Sequence, residues 1–197
     1  MKKLIVILFS LMPLTMWAQD FNKNLATARS SYAAGKLEDS RFAMEQMLQE
    51  LDITIGKEVL KLLPAKMEVM NMNSSADNVA GTNGFLGVII HREYGTGDKT
   101  AAIDMITNSP LIASINAILS IPFVGNSADG SQKRVKVQGY KALLQKNVDS
   151  GNQKVSYELQ LPFSSTLLTF KVNGADEGQV LKLAESIPIS QIAKMLQ

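Results

Sequence analysis

The sequence predicts an α+β fold, with an N-terminal helical hairpin followed by an antiparallel sheet carrying one inserted helix and two C-terminal helices on one face. Three observations carry this. Apolar residues recur at helical spacing between Phe21 and Leu63, the period changes to two after residue 84, and helical spacing returns at the C-terminus. The 197 residues divide accordingly into a cleavable signal (1–18), the hairpin (19–64), a strand with an Asn/Ser/Gly-rich loop (65–84) and an antiparallel α+β domain (85–197).

In the first segment Lys2 and Lys3 precede an apolar run from Leu4 to Leu14, which ends in a short approach to Ala18. These are the three parts of an export signal. The run falls short of the roughly 20 residues that span a bilayer core. Cleavage after Ala18, or within two residues of it, is expected to release a periplasmic chain with no transmembrane anchor. There is no cysteine, so neither a thioether-linked lipid nor a disulfide is expected, and the mature chain must hold itself together by its own core. Lys2 and Lys3 are the only charges in the signal, which leaves 18 basic and 18 acidic residues after it. A chain of zero net charge without a basic stripe is not expected to bind nucleic acid.

The hairpin rests on two stripes, Leu25, Ala28 and Tyr32, then Met44, Met47, Leu48 and Leu51, each on one helical face. Gly35 and Lys36 mark the turn between them. The second helix can run on through Ile55, Val59 and Leu62 despite Gly56, and Pro64 stops it. A strand is expected at Met67 to Met72, and the polar run Asn71 to Gly84 reads as a long loop. Further strands are expected at Phe85 to Tyr94 and Thr100 to Thr107. Pro110, with Ser109 as cap, opens a helix over Leu111 to Leu119. Alternation then marks three strands: Val135 and Val137 against Arg134 and Lys136, Val155 to Leu161, and Leu168 to Val172. Turns at Asp149-Ser150-Gly151-Asn152 and Ser164-Ser165 make them a meander. Val180, Leu183, Ala184 and Ile187, then Ile189, Ile192, Ala193 and Leu196, predict two short helices parted by Pro188. With the helices on one side, the other face of the sheet is left to water.

Ala28, Tyr32, Gly35, Ser40, Met44 and Met47 resemble the small, aromatic and glycine positions of a tetratricopeptide repeat, a peptide-binding helical hairpin. The resemblance covers one hairpin, with Ser40 in place of the central alanine and Asp52 in place of the closing proline. A lone repeat cannot bury its face. The hairpin is therefore expected to pack on the chain after Gly84, with Leu51 in that contact. The signal, the run Ala33-Ala34-Gly35-Lys36-Leu37-Glu38-Asp39 and the run Gly56 to Pro64 together resemble uncharacterised exported proteins of the Bacteroidota, which implies a Gram-negative periplasm and no site residues.

Catalytic chemistry finds little support. His91 is the only histidine, so a zinc site lacks further imidazole or thiolate ligands, and no Gly-x-Ser-x-Gly elbow accompanies it. The segment Asn126 to Ser131 lacks the acidic spacing of a calcium loop. No catalytic, cofactor or metal residues are assigned. By period two, His91 and Glu93 share a strand face, and Arg134, Lys136 and Gln138 are expected to extend it as a polar interaction face. Seven methionines remain after the signal; Met44, Met47, Met67, Met70 and Met72 suggest either core filling or an adaptable apolar groove. The expected function is a non-enzymatic envelope protein that binds another protein or supports an assembly. The alternative is a periplasmic carrier holding a lipid or other small apolar ligand between helices and sheet.

Overall fold

The computed structural model describes residues 16–82, 87–121, 127, 129–151 and 153–196, with side chains from Asp20 onward. The expected signal up to residue 15 and the Phe85 end of its strand lie outside the described residues. The chain divides into two compact units, Met1–Leu51 and Asp52–Gln197.

In the first unit, helix α1 (Met16–Ala33) is joined by a tight turn to α2 (Leu37–Leu62), whose residues up to Leu51 belong here. Gly35 adopts φ +72, the left-handed conformation that a side chain would disfavour, and the amides of Gly35 and Lys36 return to the carbonyls of Tyr32 and Ser31. Small residues let the helices approach. Ala28, Ser40 and Ala43 are buried, Ser40 Oγ donates to the Ala28 carbonyl at 2.9 Å, and Asn24 Nδ2 donates to Glu50 Oε1 at 2.8 Å.

The second unit is the predicted α+β arrangement, built on one eight-stranded antiparallel sheet in the order β1-β2-β3-β4-β8-β7-β6-β5. Its strands are β1 (Lys66–Met67), β2 (Met70–Gly81), β3 (Val88–Thr96), β4 (Lys99–Thr107), β5 (Gln132–Val137), β6 (Tyr140–Val148), β7 (Val155–Phe163) and β8 (Thr166–Asn173). Two four-stranded meanders thus join edge to edge through β4 and β8. One face carries Ile90, Tyr94, Ile103, Met105, Leu159, Leu161, Leu168 and Phe170, all buried. Val59 and Leu63 from the end of α2, helix α4 (Glu177–Ala184) and helix α5 (Ile189–Met195) complete this core. Asp176 and Gln179 form a reciprocal capping box at the start of α4. Gly56 is required by close approach, because a Cβ there would meet Val79 Cγ1 at 2.7 Å.

Three expectations need correction. Residues 71–81 form a strand instead of a loop, and Met67 to Met72 form a hairpin turned at Glu68, with φ 50. The polar composition hid β2 because much of it faces water and its regularity is broken: residues 74–77 bulge opposite Arg92 between the pairs Asn73↔Glu93 and Asn78↔His91. Second, the expected three-strand meander has four strands, since β6 intervenes; it gave no alternation because both its faces are covered: Ala142 and Leu144 belong to the main core, while Leu143 turns the other way. Third, α4 and α5 lie on one face as predicted, but the inserted helix α3 (Ile112–Ser120) lies on the other, packing Ile115 and Leu119 against Leu143 and Leu167. That face is therefore only partly open to water.

Candidate functional site

The hairpin buries its small residues and exposes its large ones. At about 100° per residue, Leu37, Met44, Leu48 and Leu51 fall within about 60° of one another on α2. They lie about a quarter turn from Ser40, Ala43 and Met47, which face α1. On α1, Phe21, Leu25 and Tyr32 lie about a quarter turn from Asn24, Ala28 and Ser31 in the same sense. In an antiparallel pair, equal turns in the same sense point to the same side. Phe21, Tyr32, Leu37, Met44, Leu48 and Leu51 therefore form one apolar side, and it is open: Tyr32 is 67% exposed, Leu48 60% and Leu51 48%. The expectation that Leu51 is covered fails here. Side chains that would each favour burial by roughly 1.5–3 kcal/mol remain in water, more apolar exposure on one side than singly scattered surface residues make.

The predicted polar face is not one patch. His91 and Glu93 lie on the same face of β3, and His91 Nδ1 is 2.6 Å from Asp104 Oδ1 on β4, with Nε2 3.5 Å from Glu93 Oε1. Partial burial lowers the pKa of His91, but hydrogen bonds and charge from Asp104 and Glu93 outweigh it and raise the pKa above the usual value. Arg134 shares the cross-strand row of His91. Five strand spacings of about 4.8 Å separate them, roughly 24 Å, and Arg134 Nη1 donates to the Ile121 carbonyl at 2.9 Å. Lys136 lies beside Arg134 on the edge strand. Gln138 leaves the face altogether: its side-chain amide donates to the carbonyls of Glu185 and Ile187 at 2.9 and 2.6 Å, tying the β5–β6 turn to the end of α4.

A polar cluster that the sequence did not reveal lies on the core face. Arg92 is 6% exposed. Its Nε and Nη2 donate to Asp77 Oδ1 and Oδ2 at 2.9 and 2.6 Å, and Nη1 donates to the Leu63 carbonyl at 3.1 Å. The guanidinium thus holds the bulge of β2 and neutralises the carbonyl end of α2. Asp77 accordingly raises the pKa of Arg92. The buried Tyr94 hydroxyl lies beside this guanidinium without a well-formed hydrogen bond, and burial pushes its pKa up to about 12 against the pull of the Arg92 charge. Every acceptor of Asp77 is engaged by one cation, which is the pattern of a clamp.

The interior of this unit leaves little room. The cavity beneath Met70, Val172 and Leu183 measures about 30 Å³, room for about one water. A cleft of about 420 Å³ opens at the sheet end between Asn71, Met72, Asn73, Thr96 and Lys99. Met67 fills the core, whereas Met70, though buried, also lines both cavities. Among the described residues no three His, Asp or Glu side chains converge as metal ligands, and no helix is long and apolar enough to cross a membrane. Comparison with family models, curated proteins and solved structures finds no match for the chain.

Proposed function

We propose that the protein is a non-enzymatic component of the bacterial envelope whose helical hairpin docks another protein chain, with the sheet unit as its scaffold. The observation that supports this is the single open apolar side made by Phe21, Tyr32, Leu37, Met44, Leu48 and Leu51. Helix-in-groove and helix-on-helix recognition use such i, i+4, i+7 anchors. The export signal, if it acts as its three parts imply, delivers this surface to the periplasm. On the carrier alternative, an apolar ligand would lie between helices and sheet, where the cavity lined by Met70, Val172 and Leu183 measures only about 30 Å³, far below the size of a ligand site, and this favours docking.

The test is a photo-crosslinking residue placed in living cells at Leu48, at Leu51 and, as a control, at Ser30 on the far side of α1. Docking gives discrete protein adducts from positions 48 and 51 and none from 30. Absence of adducts at 48 and 51, or equal adducts at all three, rejects the docking face.

A further inference from the structure

We propose that His91 and Glu93 bind a zinc ion on the face of the sheet that α3 leaves partly open, with Asp104 holding the imidazole in place and water completing the coordination. This goes beyond the docking reading and is independent of it. In the sequence His91 has no second histidine and no cysteine to join it. Strand geometry supplies carboxylates instead. Residues i and i+2 of β3 set an imidazole and a carboxylate side by side on one face, and the register with β4 puts Asp104 opposite His91.

Two distances carry the proposal. His91 Nδ1 is 2.6 Å from Asp104 Oδ1, and an ionised carboxylate only accepts, so in the neutral ring the proton sits on Nδ1 and Nε2 keeps its lone pair. A carboxylate bonded in this way to the far ring nitrogen is the usual orienting partner of a zinc-bound histidine. Nε2 is 3.5 Å from Glu93 Oε1. That is long for a hydrogen bond, but near the roughly 3.4 Å between two donors that share one tetrahedral zinc at about 2.0–2.1 Å each. The right-angled positions of square-planar Cu²⁺ would draw the donors closer together. The surrounding charge has the right sign. Asp104 and Glu93 bring two negative charges to one neutral imidazole, and their cross-strand neighbours Asn73, Asn78 and Thr169 are uncharged. Lys171, the nearest cation on this face among the described residues, is two strands from Glu93, roughly 10 Å, and faces Glu158 at 4.0 Å. Side-chain exposures of 26% for His91, 49% for Glu93 and 30% for Asp104 leave the ion a way in and room for water ligands. With two protein ligands the site is open and its affinity modest.

Isothermal titration of the untagged, metal-free chain with zinc chloride, near pH 7.5 where the imidazole is mostly neutral, reads the affinity; one site with a Kd of about 1–100 µM is expected. His91→Gln should abolish it, and Glu93→Gln should weaken it about tenfold or more. Asp104→Asn, at a residue that does not touch the ion, should weaken it about 10- to 100-fold. Glu158→Gln, on the same face but away from the site, should leave it unchanged. Because His91 is the sole imidazole, its ring proton resonances in the parent give a readout that needs no variant, and zinc should shift them in step with the titration. A Kd weaker than about 1 mM, binding that survives His91→Gln, or ring resonances that do not move at saturation overturns the site. Asp104→Asn binding as tightly as the parent overturns the orienting role of Asp104.

Discussion

Replacing Asp77 by Ala strips the Arg92 guanidinium of the carboxylate that pairs with it among the described residues while leaving it in place. The pair is well sheltered, with side-chain exposures of 7% for Arg92 and 16% for Asp77. Two short hydrogen bonds disappear, and only the contact to the Leu63 carbonyl at 3.1 Å remains. Breaking a buried pair from one side costs about 3–5 kcal/mol because a charge is left unpaired. Since Asp77 is not wholly enclosed and Arg92 keeps one acceptor, the expectation is the lower end, about 3 kcal/mol. That loss corresponds to a fall in Tm of about 6–12 °C for a domain of this size. Urea unfolding followed by circular dichroism measures it. The double variant Asp77→Ala/Arg92→Met should recover part of the loss, because the stranded cation is gone and an apolar chain fills its place. A cost below about 1 kcal/mol for Asp77→Ala, the range of an exposed pair, would refute the clamp, and so would a double variant no more stable than the single one.

Gly56→Leu should destabilise by about 1–3 kcal/mol through overpacking against Val79, Val88 and Ile90, read as a lowered urea midpoint. Leu51→Asp should change the stability of dilute protein by no more than about 0.5 kcal/mol, as expected for a surface site, since Leu51 is half exposed. For His91 the folded-state pKa lies above its unfolded value of 6.5, so the stabilisation from its bonds to Asp104 and Glu93 is fully present below that pH. It is lost as pH rises through the folded pKa. The parent should therefore lose stability relative to His91→Gln as pH rises from about 6.5; a constant difference between the two melting curves from pH 5.5 to 9 would contradict this.

The elements with one buried and one wet face were legible in the sequence, because periodicity records a difference between faces. The hairpin turn at Gly35, strands β7 and β8, and the helices parted by Pro188 belong to this group. Elements without that difference were not legible. Strand β6 is apolar on both sides, since α3 covers Leu143 while the main core takes Ala142 and Leu144. Strand β2 is polar and bulged, and the Asn/Ser/Asp composition that signals a loop is here the material of the bulge that delivers Asp77 to Arg92. The pairing of His91 with Glu93 on one face followed from period two, whereas Asp104 required the register of β3 against β4. Gln138 was misplaced because a positive φ of 49 carries it out of the strand and into the turn. In the hairpin, the stripes were legible, but their burial was not. Small residues at Ala28, Ser40 and Ala43 draw the helices together along one line, and the larger residues a quarter turn away are left uncovered.

The docking face is tested most directly by methionine oxidation, since the chain carries its own controls. Met44 lies on the apolar side of the hairpin and is 48% exposed, Met72 is 39% exposed in the sheet unit, and Met67 is buried. A thioether is oxidised in proportion to its access. In dilute purified protein Met44 and Met72 should therefore react at similar rates and Met67 should not. In intact cells, with the apolar side occupied, Met44 should be protected several-fold while Met72 remains reactive. Equal oxidation of Met44 and Met72 in both settings would show the hairpin face to be unoccupied and would contradict the docking function.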